Sequence, residues 1–302
     1  MTQTEKFLAY GSWIAVCLIW GTTYLAIRVA VRTLPDAWMA GVRFTVAGGV
    51  LLLILLLRGQ KLPPVRQWQP LAIIGISLLG FGNWLVVVAE KTVPSGPTAL
   101  MIAVTPFWIS ILEWLFRKQI LRTGNQTEAW RRSKVFGLVL GFIGVGLLTL
   151  PNLQGTLSRE YLFGVVIVQA ACLFWAIGTV YSKCVKLDSG ALMNASLEML
   201  FGGLFLLVLA YLKGDFHAVY WNRESFIAFL YLIFFGGMVA FACFTYALSK
   251  LPSSLVSLYA YINPVIAVWL GWLILKEEVT SITILATFVI MGGVWLTKGT
   301  RD

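Results

Sequence analysis

Apolar residues fall in long blocks separated by short polar links. Ten blocks of roughly 20 residues can be drawn, near 10–29, 38–57, 70–91, 97–116, 134–151, 161–183, 191–211, 225–248, 254–274 and 280–297. About 20 apolar residues in helix cross the hydrocarbon core of a bilayer, so the pattern predicts an all-helical membrane protein with ten spans. The longest link is "RKQILRTGNQTEAWRRSK", 117–134. Within the ninth block, "YAYINPVIAVWLGW" (259–272) places Pro264 in mid-helix beside Asn263. Proline there removes one backbone hydrogen bond and crowds the preceding turn.

That proline has a twin. Shifted by 158 residues, "AEKTVPSGPTALMIAVTPFWISILEWLFRK" (89–118) falls on "ALSKLPSSLVSLYAYINPVIAVWLGWLILK" (247–276). Nine of the thirty positions are identical, and Pro106 aligns with Pro264. A shift of 155 sets "CLIW" (17–20) on "CLFW" (172–175). The chain therefore reads as two five-helix repeats, 1–155 and 156–302. An odd number of spans inverts the second repeat, an architecture of secondary transporters, whose substrates sit at the midplane between repeats.

Composition supports the membrane reading. The chain is 302 residues long, 59% hydrophobic and 12% charged, with mean hydropathy +0.84; soluble domains carry about 25% charged residues. The net charge of +10 comes without a basic patch interleaved with base-reading or stacking motifs, which argues against nucleic acid. With the N-terminus inside, 15 Lys and Arg lie on the cytoplasmic side and 7 outside, with Arg43 within span two. The positive-inside rule then puts both termini in the cytoplasm. The first block reads as a span rather than a removed signal peptide. Cys17, Cys172, Cys184 and Cys243 read as free thiols.

The segments "WGTTYLAIRVAV" and "LPDAWMAGVRF" and the proline-containing fourth and ninth spans resemble the drug/metabolite transporter superfamily, EamA type. The resemblance covers essentially the whole chain. It implies an alternating-access carrier of small metabolites in the cell inner membrane, often an exporter of amino acids or their relatives, with a cavity lined by spans 1, 3, 4, 6, 8 and 9. The family commonly ends each fourth helix of a repeat with an acid. Glu277 fits, whereas the matching position in the first repeat is Gln119.

Pro106 and Pro264 are expected to kink their helices and shape the cavity, against plain packing kinks. The freed carbonyls, Ile102 and Ala260, need partners inside the protein or water, and Thr105 and Asn263 stand beside them. Trp20, Tyr24, Asn83, Thr105, Trp175, Thr179, Phe241, Tyr259 and Asn263 are the expected solute contacts, since aromatic faces can stack on a solute or attract an ammonium group. Packing and interfacial belts use the same aromatic residues. Arg43 and Glu198 are charges within spans, a functional signal by default, and are candidates for gating or proton coupling; snorkelling is the competing reading of Arg43. Glu90 with Lys91, and Glu113 with Arg117, read as interfacial pairs.

One histidine and no HExxH, GxSxG or P-loop argue against an enzyme, and no metal or cofactor is expected. The function expected is export of amino acids or related compounds by a monomer or homodimer, driven by gradients. A multidrug exporter of the same fold and a non-transporting membrane subunit are the alternatives.

Overall fold

A computed structural model describes residues 2–124, 132–153, 159–251, 256 and 259–298. Helix is the only regular structure among these residues. The first helix, α1 (Gln3–Ala30), opens on a capping box: Thr2 Oγ1 accepts from the Glu5 N–H at 3.2 Å, and the Glu5 carboxylate accepts from the Thr2 N–H at 2.9 Å. Helix α2 (Asp36–Leu57) follows Pro35. The third apolar block is composite: α3 (Trp68–Gly75), a π-helical stretch over Ile76–Asn83, then α4 (Trp84–Ala89). The fourth is broken into α5 (Ser95–Ile102) and α6 (Thr105–Leu115), followed by the short α7 (Arg117–Arg122) and then α8 (Arg132–Leu153).

The rest of the described chain is helical as well. Helices α9 (Arg159–Cys184) and α10 (Ala191–Lys213) lead to α11 (Arg223–Tyr231), a second π-helical stretch over Leu232–Val239, and α12 (Ala240–Lys250). Helices α13 (Tyr259–Leu275) and α14 (Ser281–Lys298) complete the described chain. Seven runs among the described residues are long and apolar enough to span a bilayer: Gln3–Ala30, Asp36–Leu57, Val65–Ala89, Ser95–Leu115, Arg159–Cys184, Ala191–Lys213 and Arg223–Phe244. Three shorter apolar helices, Val135–Leu148, Ile262–Leu275 and Ser281–Gly293, stand where the fifth, ninth and tenth spans were expected.

Two helix pairs and two mixed groups organise the packing. Helix α2 lies along α10, and α8 along α14. Helix α1 contacts α13 and the α11–α12 run, while α9 contacts α5–α6 and the α3–α4 run. The α2–α10 seam is close enough to need glycine. A Cβ on Gly203 would sit 2.5 Å from Thr45 N and 3.0 Å from Gly41 O. Phe44, Leu51, Met199 and Leu206 fill the space around this seam. The exterior is apolar, with Phe288 72% and Trp295 70% exposed, as expected where lipid is the solvent.

Charged ties between helices differ from those expected in sequence. Lys91 pairs with Asp36, not with its neighbour Glu90. Asp36 also accepts from Trp84 Nε1 and from Lys213 Nζ, each at 2.7 Å, so one carboxylate joins α2, α4 and α10. Glu113 pairs with Lys183 of α9, not with Arg117. Helix spacing favours i, i+4 pairs only weakly, and here contacts between helices prevail.

If the α2–α10 seam is set by backbone contact, Gly203→Ala destabilises the protein by about 1–3 kcal/mol through overpacking. Gly49→Ala, whose added Cβ would find its nearest atom 3.8 Å away, leaves stability unchanged or raises it by up to about 1 kcal/mol. Unfolding of the two variants in detergent checks the contrast.

Candidate functional site

One cavity of about 200 Å³ lies among α1, α2, the first π-helical stretch, the α5–α6 break, α9, the second π-helical stretch, α12 and α13. Arg43 and Phe44 bring α2 into its wall, beyond the six spans that the family resemblance implies. Of the residues singled out in sequence, Trp20, Tyr24, Arg43, Asn83, Thr105, Pro106, Trp175, Phe241, Tyr259, Asn263 and Pro264 all line it.

Thr179 and Glu198 do not. Thr179 lies one turn beyond Trp175, and its hydroxyl donates back to the Trp175 carbonyl at 2.8 Å. Glu198 sits where α10 presses on α3: a Cβ on Gly75 would lie 2.2 Å from the Glu198 carbonyl oxygen. Arg43 and Glu198, which the repeat maps onto each other, are not partners. Arg43 donates through Nη2 to Asn83 Oδ1 and lies 4.2 Å from the Phe44 ring centroid.

The walls are built from irregular backbone, and their side chains mend it. The chain breaks between Ile102 and Thr105, so Pro106 falls in the first turn of α6, where its missing N–H costs little. Thr105 Oγ1 donates to the Ile102 carbonyl at 2.6 Å, the partner expected from the sequence. Pro264 is different, because α13 runs through it unbroken. Asn263 is 5% exposed. Oriented so that its amide nitrogen faces two carbonyls, it donates to Tyr259 O and Cys17 O at 3.0 Å each. It thereby ties α13 to α1 and does not serve Ala260. Trp20 Nε1 donates to Gly236 O, inside the second π-helical stretch, at 3.3 Å. Thr23 Oγ1 donates to Trp20 O at 2.6 Å.

An aromatic group gathers around Trp20. Its ring meets Tyr259 at 5.0 Å and Phe241 at 5.6 Å, both edge to face. Phe244 lies tilted at 5.2 Å. Such pairs hold their rings in fixed relative orientation, which makes this part of the wall rigid.

Glu277 closes one edge of the α5–α13 contact. Lys276 takes a left-handed backbone conformation, φ 57°, and returns the chain so that the Glu277 N–H donates to Gly271 O at 3.0 Å. The carboxylate then accepts from Ser95 N at 2.9 Å, from Ser95 Oγ at 3.0 Å and from Gly96 N at 3.2 Å. An anion at a helix N-terminus is favoured by the exposed N–H groups and the helix dipole. Gly271 leaves room for this carboxylate, because a Cβ there would lie 2.4 Å from Glu277 Oε2 and displace it. Gln119, the matching position of the first repeat, is exposed.

Sequence reasoning missed Glu90. It is fully buried and neither carboxylate oxygen has a hydrogen-bond partner. Its charged neighbours are Arg28, Arg43 and Glu277. In sequence it stands at a helix end beside a lysine, which reads as interfacial; only the tertiary fold reveals the burial. Asp36 was missed for the same reason.

Residues 8–150 and 162–298 match the EamA-like transporter family. The chain belongs to that family. It is 36% identical over 288 residues to the uncharacterized inner membrane transporter YedA of Escherichia coli K12, covering 95% of this chain and 89% of the relative. Protein PagO of Salmonella typhimurium is 28% identical over 95% of this chain and 91% of its own. The uncharacterized transporter YoaV of Bacillus subtilis is 25% identical over 94% of each chain. A solved crystal structure 19% identical in sequence superposes with a TM-score of 0.63, covering 98% of this chain and 96% of that one, and shares the fold. Family and relatives make this EamA-family chain a multi-pass membrane transporter rather than an enzyme.

Asn263→Leu removes the donor shared by two buried carbonyls and should cost about 1–3 kcal/mol of stability. A thermal-unfolding series in detergent that includes Asn263→Gln checks it, and an unchanged midpoint for Asn263→Leu would count against the tie.

Proposed function

We propose that the protein is a secondary-active carrier that exports small organic metabolites, most readily amino acids or related compounds, by alternating access between two inverted halves, 1–155 and 156–302. The observation that carries this reading is one cavity shared by helices of both halves. At about 200 Å³ it is smaller than the roughly 300–1,000 Å³ of drug-sized pockets. It suits a single small metabolite better than a bulky drug.

The two-half reading gains support from the packing. Exchanging the first five apolar blocks with the second five turns the α1–α13 contact into the α9 contact with α5–α6. The same exchange leaves the α2–α10 and α8–α14 pairs unchanged. The π-helical stretches also correspond, Ile76–Asn83 with Leu232–Val239. In this reading the three shorter apolar helices complete ten spans. Both termini are cytoplasmic, as the distribution of Lys and Arg favours, and the protein resides in the inner membrane, as the name of its Escherichia coli relative says of that protein. Glu277 holding the N-terminus of α5 acts as a latch on one side of the cavity.

Counterflow of radiolabelled amino acids into proteoliposomes tests the carrier. Exchange of at least one of them is expected, and no flux across the set would sink the substrate class. Glu277→Ala loses the latch, worth about 0.5–2 kcal/mol by analogy with helix caps. It is expected to speed maleimide labelling of Cys172, which lines the cavity; an unchanged rate would refute the latch.

A further inference from the structure

The polar groups in the cavity wall are one-sided. Thr23, Thr105, Asn263 and Trp20 are already committed to backbone carbonyls. Among the described residues that line it, the side-chain donors without a protein partner include Arg43 Nε, which is buried, the hydroxyls of Tyr24 and Tyr259, and the indole N–H of Trp175. All can donate. Among the described residues no Asp, Glu, Lys or His lines the cavity, so a solute inside meets one cation and no anion from them.

Arg43 is built for more than packing. Its side chain is 4% exposed, faces the cavity, and is fixed by Asn83 through Nη2 and by the Phe44 ring. A snorkelling arginine would reach for the interface; this one is held inside. A guanidinium orphaned at Nε offers a planar, permanently charged donor set that a carboxylate matches. Glu90 is fully buried, has Arg43 and Arg28 among its charged neighbours and does not line the cavity.

We propose that Arg43, positioned by Asn83, is the docking point for a carboxylate of the transported solute, and that the rings of Trp20, Phe241 and Tyr259 receive its apolar part. This rests on the carrier reading above and narrows its solute to carboxylates and zwitterions. It also assigns Arg43 to binding rather than to gating or proton coupling.

Two matched sets of probes test it on the full-length protein in lipid nanodiscs, read by ligand-induced shifts in thermal midpoint. One set is tryptophan, indolepropionate and tryptamine; the other is leucine, isocaproate and isoamylamine. The zwitterion and the acid of a set should bind and the amine should not. Arg43→Gln should weaken the acids by at least about tenfold, the scale of a lost charge-assisted hydrogen bond. Arg43→Lys, keeping the charge but not the fork, should fall between. Should Arg43→Gln not fold, the comparison of acid with amine on the unmodified protein still decides. Amines binding as tightly as acids, or acids holding their affinity in a folded Arg43→Gln, would overturn the proposal and leave the carrier intact. Failure of every probe to bind, together with no amino-acid counterflow, would overturn both readings.

Discussion

A carbonyl freed inside a bilayer has to find its partner within the protein or in enclosed water, and this chain meets that demand at the walls of its cavity. The break before Pro106 frees the Ile102 carbonyl, and Thr105 takes it. The second π-helical stretch presents Gly236 O, and Trp20 takes it. Asn263 serves Tyr259 and Cys17. Remove these bonds and the walls have no reason to hold their irregular shape. Concavity in a helical bundle depends on such departures from straight helix, so the cavity and its backbone repairs are one feature.

This changes how the polar residues are read. A threonine or asparagine in an apolar run looks like a solute contact, because polar groups are scarce there. Thr105 and Asn263 do face the cavity, yet their hydrogen bonds go first to the backbone. The donors that remain belong to larger side chains: Arg43, Tyr24, Tyr259 and Trp175. Arginine and the aromatic residues can reach past the backbone into the cavity, whereas the short side chains are absorbed by the turn that carries them.

The apolar blocks, the paired prolines and the polar and aromatic part of the cavity lining were legible in the sequence because they follow from local pattern. Length and hydropathy mark a span, and a repeat marks which spans belong together. Glu90, Asp36 and the two π-helical stretches were not legible. Whether a carboxylate at a helix end is interfacial or buried depends on what packs over it; for Glu90 nothing within several residues says so. Asp36 stands after a proline at a helix start, where an acid is ordinary. Only the arrival of Trp84, Lys91 and Lys213 makes it a junction of three helices. Glycines at 80, 82, 236 and 237 are compatible with a π-helical turn but also with plain close packing. Thr179 was expected in the site as a polar residue inside a span, yet it stands one turn beyond Trp175 and outside the cavity.

The departures from symmetry bear most directly on mechanism. In the proposed two-half reading, identical halves would make the two open states of a carrier equivalent by a two-fold rotation and equal in energy, and nothing in the protein would prefer either. Here one proline breaks its helix and the other is carried through a continuous one. Glu277 caps α5 with a charged acceptor, while Gln119 is neutral and exposed, and its counterpart serine, Ser253, lies outside the described residues. A carboxylate on a helix N-terminus gains from both charge and dipole, and an amide in that place gains less. In the proposed cycle the side held by Glu277 is therefore the one favoured to stay shut. In that cycle the latch is built from this acid, the glycine that makes room for it and the left-handed lysine that turns the chain.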